Sequence, residues 1–164
     1  MKRYFTGAVV AVVLIVITLL VYYSFSTPCL ILRNGDTGKF YAAFPVKEKT
    51  GFSVTFIHSV NNSPVTDVYE IRDGKIYVIK TIYYSFGAGV QTEIEEGQTL
   101  EYGKNGSMIV SGFNRQMDHL SYIVGTVSDH VLEINGSTIS LTELCGRNST
   151  VRFSFGRKMW YNKR

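Results

Sequence analysis

The chain has 164 residues, 45% hydrophobic, 18% charged and 13% aromatic, with 17 Lys+Arg against 13 Asp+Glu for a net charge of +4. So few charges among so many aromatics exclude a disordered acidic or basic tail, two cysteines exclude a disulfide-dense mini-scaffold, and the length allows one compact domain. Taken as a sum, +4 suggests a nucleic-acid or membrane-surface binder, but the charges are segregated. Lys2 and Arg3 stand at the start, Arg147, Arg152, Arg157, Lys158, Lys163 and Arg164 at the end, and all the acids lie between them. The body is therefore mildly acidic, which removes the nucleic-acid reading.

The first element is the run Ala8–Tyr23, AVVAVVLIVITLLVYY, without charge or proline. Extended to Gly7 and Phe25 it has 19 residues, enough for a tilted helix across ~30 Å of hydrocarbon. In lipid the cost of unpaired backbone groups enforces the helix despite its β-branched residues. Basic residues stay cytoplasmic, so Lys2 and Arg3 predict a cytoplasmic N-terminus and an extracytoplasmic remainder in the cell membrane. A cleaved signal peptide is the alternative, but Ser24-Phe25-Ser26-Thr27-Pro28-Cys29 is a poor cleavage site. Pro28 before Cys29 also argues against a lipoprotein signal. The expected organisation is an anchor at 1–25, a β domain at 26–155 after a very short linker, and a basic, aromatic tail at 156–164 suited to a membrane interface.

The body shows short apolar stretches split by Asn34-Gly35, Asp73-Gly74, Asn105-Gly106 and Asn135-Gly136. These dipeptides favour hairpin turns because both central residues of a type I′ turn take positive φ. Strands are predicted at 29–33, 39–44, 52–58, 65–71, 75–84, 98–102, 107–110, 120–127, 130–134, 137–141 and 151–155, with a helical turn at 141–144. The fold class is all-β: an antiparallel sandwich or partly closed barrel of about ten short strands, preceded by one N-terminal transmembrane helix.

Residues that could carry chemistry are sparse. His58, His119 and His130 lack zinc-site spacing and the cysteines stand alone, so no metal site is predicted; His119 and His130 read as exposed turn residues. His58, Ser59, Asp67 and Ser85 supply the residue types of a catalytic triad without a nucleophile-elbow motif. Glu93, Glu95 and Glu96 lack the spacing of a calcium loop and read as solvated. Ser85-Phe86-Gly87-Ala88-Gly89 follows a strand with two closely spaced glycines; these suit a bulge, a barrel corner or close approach of a ligand. No helix and no third glycine make it a dinucleotide fingerprint, and no cofactor is expected. An oxidising compartment would permit a Cys29–Cys145 disulfide.

Together His58-Ser59-Val60, Ser63-Pro64-Val65, Tyr69-Glu70, Tyr84-Ser85-Phe86-Gly87-Ala88-Gly89, Glu96-Gly97-Gln98 and Asn114-Arg115 resemble the domain-of-unknown-function family 1850 over roughly residues 30–155. Val90-Gln91 departs from the Leu-Pro anticipated after the glycines. The resemblance implies a small protein with an N-terminal hydrophobic segment that often accompanies the TAXI subtype of tripartite (TRAP) transporters, and it carries over no catalytic residues. The leading expectation is a non-enzymatic, membrane-anchored accessory domain that contacts such a permease or its solute-binding protein through His58, Ser59, Ser85, Gly87, Gly89 and Arg115. A ligand- or ion-sensing β domain using the same residues is the alternative, and an envelope hydrolase using His58 with Ser59 or Ser85 stands below both.

Overall fold

The structure is a computed structural model and describes residues 2–60, 62–85 and 94–159. Helix α1 (Lys2–Phe25) contains the apolar stretch Gly7–Phe25, long and apolar enough to cross a membrane and with none of its residues buried by the rest of the chain. A signal sequence near the N-terminus meets the same criterion of length and apolar composition. Eleven strands follow: β1 (Ser26–Asn34), β2 (Phe40–Pro45), β3 (Gly51–Ile57), β4 (Pro64–Arg72), β5 (Lys75–Tyr83), β6 (Thr99–Tyr102), β7 (Met108–Gln116), β8 (Ser121–Ile123), β9 (His130–Ile134), β10 (Ser137–Ser140) and β11 (Thr150–Met159). A short helix, α2 (Leu141–Cys145), lies between β10 and β11.

All the strand pairs are antiparallel and fall into two sheets, β2-β1-β11-β8 and β10-β9-β3-β4-β5-β7-β6. Neither closes on itself, so the fold is a sandwich and not a barrel. The four Asx-Gly dipeptides each join a paired couple: β1–β2, β4–β5, β6–β7 and β9–β10. Asp73-Gly74 and Asn135-Gly136 have positive φ at both residues, as the type I′ turn demands. At Asn34 the side chain instead accepts from the Asp36 and Thr37 amides and organises a longer loop.

Alternation along the strands supplies the core. Leu30, Leu32, Val151 and Phe153 from the smaller sheet meet Phe52, Val54, Tyr69, Ile71, Leu132 and Ile134 from the larger one. Phe52 stacks on Tyr69 and on Phe153, with ring centroids 5.0 and 6.1 Å apart. Two bulges interrupt the pattern in the larger sheet. Val68 faces Lys80 and Tyr69 faces Val78, so Ile79 is an extra residue in β5; beyond it Thr81 and Tyr83 are buried in place of Lys80 and Ile82. Opposite, β7 bulges at 112–114. There Gly112 has φ +85, and a Cβ on it would lie 2.3 Å from the Gly97 carbonyl oxygen, so only glycine fits.

The registers give the sandwich two ends. At the helix end, Ser26 pairs with Met159 and Cys29 with Pro45. The Asn135 amide donates to the Pro45 carbonyl (2.8 Å), and Gly74 packs on Phe155. The far end therefore holds Ile57, Pro64, Tyr83 and His130, at the opposite termini of β3, β4, β5 and β9.

Three expectations change. First, β1 begins at Ser26 directly after the helix, leaving no linker. Second, β11 continues through Met159 because Gly156, Arg157, Lys158 and Met159 pair with Cys29, Pro28, Thr27 and Ser26; these residues belong to the sheet and not to a tail. Third, Cys29 and Cys145 carry thiols and not a disulfide. Cys29 faces Gly156 near the helix, whereas Cys145 enters β11 from its Thr150 end. Burial pushes the Cys145 thiol up to about 11, keeping it protonated and unreactive.

Arg157 fastens the helix to the sandwich. Its guanidinium donates to the Ser26 hydroxyl (2.8 Å), the Ser26 carbonyl (2.7 Å) and the Tyr23 carbonyl (3.0 Å), and it lies 5.0 Å from the Tyr23 ring centroid. The Tyr23 carbonyl belongs to the last helical turn, which has no intrahelical donor, and a cation there also complements the helix dipole. Arg157→Met keeps the stem and removes the donors. We expect hydrogen exchange at the amides of residues 23–27 to rise about tenfold, the size of one or two net hydrogen bonds; unchanged exchange would show that the joint does not depend on Arg157.

Candidate functional site

Three segments meet at the far end of the sandwich: the β3–β4 connection after Ile57, the residues after Tyr83, and the β8–β9 loop. His58, Ser59, Ser63 and Ser85 from the sequence motifs thus come to one end. Gly87 and Gly89 lie outside the described residues. Arg115 does not join this group. It sits on β7 opposite Val78, several residues along the sheet toward the helix end, exposed, where its charge acts on the Tyr69 phenol. Its neighbours Asn114 and Glu70 belong to a second cluster, in which Arg72 donates to the Glu70 carboxylate and to the Asn114 side-chain carbonyl, both at 2.5 Å.

The end of β3 with the β3–β4 connection, and the β8–β9 loop with the start of β9, enclose a cleft of about 520 Å³. Phe56, His58, Ser59, Thr126, Ser128 and His130 contribute to its lining. Two turns shape it. The His58 amide donates to the Ser63 carbonyl (2.9 Å) and the Asn62 amide to the His58 carbonyl (2.9 Å). Across the cleft, a Cβ on Gly125 would lie 2.6 Å from the Ser128 carbonyl oxygen, so glycine permits that tight loop. The shortness of β8 has the same origin: Val124 exchanges backbone hydrogen bonds with Asn148 and Ser149, and the chain then turns away.

His130 corrects the expectation of an exposed turn residue. It is 8% exposed, stacks on Phe56 at 5.2 Å and meets the edge of Tyr122 at 5.9 Å. Burial lowers its pKa, against an opposing pull from Asp129, so the ring is neutral. For Asp129, burial alone would raise the pKa. Hydrogen bonds from Ser140, Thr142 and the His130 amide outweigh it and hold the carboxyl low. The Asp129 carboxylate thus faces α2, accepting the Thr142 amide at 2.9 Å. His119 is exposed in a turn, as anticipated. Among the described residues no cluster of acids, histidines and cysteines could hold a metal ion.

A polar network missed by the sequence reading supports the cleft from below. Asp67 points inward from β4 between Val65 and Tyr69. Its Oδ1 accepts from the Thr81 hydroxyl (2.8 Å), and its Oδ2 accepts from the Tyr122 hydroxyl (2.7 Å). Because Tyr122 donates to Asp67, the 2.5 Å contact between the phenols has Tyr69 donating to Tyr122. Tyr122 comes from the smaller sheet and the other three from the larger, so the network ties the layers together. Its ring also meets Phe56 and Phe153, with centroids 5.9 and 6.0 Å away. The triad considered from sequence is not assembled: both Asp67 oxygens are occupied, and His58 Nδ1 accepts from the Val60 amide at 3.3 Å. Among the described residues, the Ser63 hydroxyl is buried with no hydrogen-bond partner, an orphan of the kind that an ordered water or a ligand satisfies.

Burial, and after it the neighbouring phenol and the Asp67 charge, raises the Tyr122 pKa well above the tyrosine range; burial followed by Asp67 does the same for Tyr69. The unfolded chain releases these protons near pH 10 while the folded chain keeps them. Their contribution is therefore whole below about pH 10 and is lost as pH rises beyond it. Tyr122→Phe should destabilise the protein by about 2 kcal/mol, the cost of removing a donor from a charged acceptor, and should flatten the fall in stability above about pH 10. Denaturant unfolding across that range reads both effects; a variant as stable as the parent, with the same alkaline slope, would remove the network from the account.

Residues 52–141 match the sequence profile of a family described as Domain of unknown function (DUF1850). Apart from Gly51 at the start of β3, the matched segment contains every strand of the larger sheet together with β8, and with them the cleft and the whole Asp67 network. No curated protein and no solved structure matches the chain. Since the profile covers more than half of the sequence, the chain belongs to the DUF1850 family.

Proposed function

We propose that this protein is a membrane-tethered, non-enzymatic accessory domain that presents the far end of its sandwich to an extracytoplasmic partner. The helix joint carries this reading. Helix α1 passes into β1 without a linker and Arg157 locks the turn, so a membrane-embedded α1 would hold the domain in a set orientation. The ten residues of β11 at ~3.3 Å each would place the cleft ~30 Å from the bilayer. Lys2 and Arg3 support a cytoplasmic N-terminus under the positive-inside rule.

Apolar side chains around the far end support contact with a protein surface. Val127 is 90% exposed and Val60 64%, with Ile57 and Ile123 exposed near them. Such a cluster, directed away from the protein's own membrane, suits a partner interface. The resemblance stated from the sequence supplies the partner class: a TAXI-type TRAP permease or its solute-binding protein.

A tagged full-length chain solubilised from its native membranes should recover a subunit of a solute transporter. Val60→Asp with Val127→Asp should abolish recovery and leave folding intact, since neither residue is in the core. Repeated isolation without any transporter subunit would refute the partner assignment, and undiminished recovery by the double variant would refute the choice of surface.

A further inference from the structure

We propose that the His58–His130 cleft is a binding site for a small organic carboxylate. The argument is an inventory of donors and acceptors. Four acceptors that could face the cleft are already used. His58 Nδ1 accepts from the Val60 amide and His130 Nδ1 from the Gly125 amide, each at 3.3 Å. The Thr126 and Val127 carbonyls accept from the Arg147 guanidinium, the latter at 3.4 Å. An imidazole whose Nδ1 accepts a hydrogen bond carries its proton on Nε2, so both rings retain an N–H donor. The hydroxyls of Ser59, Thr126 and Ser128 add further donors.

Among the described residues no carboxylate lines the cleft, and the nearest one in sequence to its lining, Asp129, is turned to Thr142. The hydroxyls and the Asn62 side-chain amide that line the cleft can accept as well as donate, but none of these groups carries a negative charge, so an anionic acceptor meets donors there without repulsion. Arg147, behind the β8–β9 loop, adds positive potential without entering the lining. Hydrogen bonds from neutral donors to an ionised oxygen are the stronger kind. Apolar groups select among anions. Phe56, Ile57 and Val127 line the same space and offer contact to a hydrocarbon portion, which a carboxylic acid has and inorganic phosphate lacks. The size agrees, since small-molecule sites begin at about 300 Å³. The site is held firmly: His130 is clamped between Phe56 and Tyr122, and Tyr122 is fixed by Asp67.

The inference concerns the end of the molecule assigned above to a partner, but it needs no partner. Its test uses the purified full-length chain alone in detergent micelles, so its failure leaves the partner reading standing. Histidine ring resonances are followed by NMR during titration with butyrate, butanol and inorganic phosphate. We expect butyrate to shift the His58 and His130 rings saturably and leave His119 unmoved, with butanol and phosphate each binding at least about tenfold more weakly. His58→Ala should weaken butyrate about tenfold, as loss of one donor to a charged oxygen does. Ser59→Ala, an exposed change that spares the fold, should weaken it about threefold. No saturable shift with butyrate overturns the proposal. Equal binding of phosphate overturns the carboxylate assignment, equal binding of butanol overturns the donor argument, and unaltered affinity in both variants overturns the placement.

Discussion

An inward-facing carboxylate sets the terms for the middle of this sandwich. Asp67 occupies a core-facing position of β4, between buried Val65 and Tyr69, where an ionised group is tolerated only if its oxygens find donors. Strict alternation would have turned Lys80 and Ile82 of β5 toward it. The extra residue at Ile79 reverses the parity, sends Lys80 to the outer face and brings Thr81 to within 2.8 Å of Oδ1. The second oxygen is served from the other sheet by Tyr122. Apolar packing is non-directional and tolerates sliding between layers; two directed hydrogen bonds do not, so Asp67 gives the sandwich a defined register.

The same contacts build the floor of the cleft. Tyr122 can serve Asp67 only with its ring wedged among Phe56, His130 and Phe153. Phe56 and His130 are thereby stacked, and His130 is kept out of water and neutral. A buried histidine with one nitrogen satisfied by a backbone amide presents a fixed tautomer, which a mobile surface histidine does not. The cleft is therefore supported by residues whose rotamers are set by the core, and not by the loops alone.

What the sequence disclosed and what it concealed divide along range. The hairpins were legible because Asp73-Gly74 and Asn135-Gly136 encode positive φ locally, and the apolar run of α1 needs no tertiary context to be recognised. His130 was concealed because its polar neighbours Ser128 and Asp129 look like a turn; its burial comes from Phe56, far away in the chain. The strand expected at 107–110 falls short of β7, which continues to Gln116, because Gly112 and Asn114 act as breakers unless a bulge absorbs them. Arg157 looked like one more cation of a basic tail because its partners, Tyr23 and Ser26, lie at the other end of the chain. His58 and Ser59 were found as a motif, but their companion across the cleft proved to be His130 and not Arg115, since the strand directions that send His58 to the far end leave Arg115 toward the helix.

Helix joint and cleft thus occupy opposite ends of one mechanical unit. The ladder between β1 and β11 runs unbroken from Ser26–Met159 to Asn34–Val151, and β8 continues β11 on its other edge through Ile123–Thr150. Beyond Ile123, Val124 is held by Asn148 and Ser149, and the β8–β9 loop is then secured by Arg147 and His130. Backbone ladders, closed at one end by the Arg157 side chain and at the other by the Arg147 and His130 side chains, therefore connect the last turn of α1 to the wall of the cleft. A flexible tether would let the domain explore many orientations and would raise only the local concentration of a partner site. A clamped helix feeding a continuous ladder fixes the direction in which the cleft is presented relative to α1, and under the proposed membrane tethering that difference matters only if whatever meets the far end is itself held at a fixed height and orientation over the same bilayer.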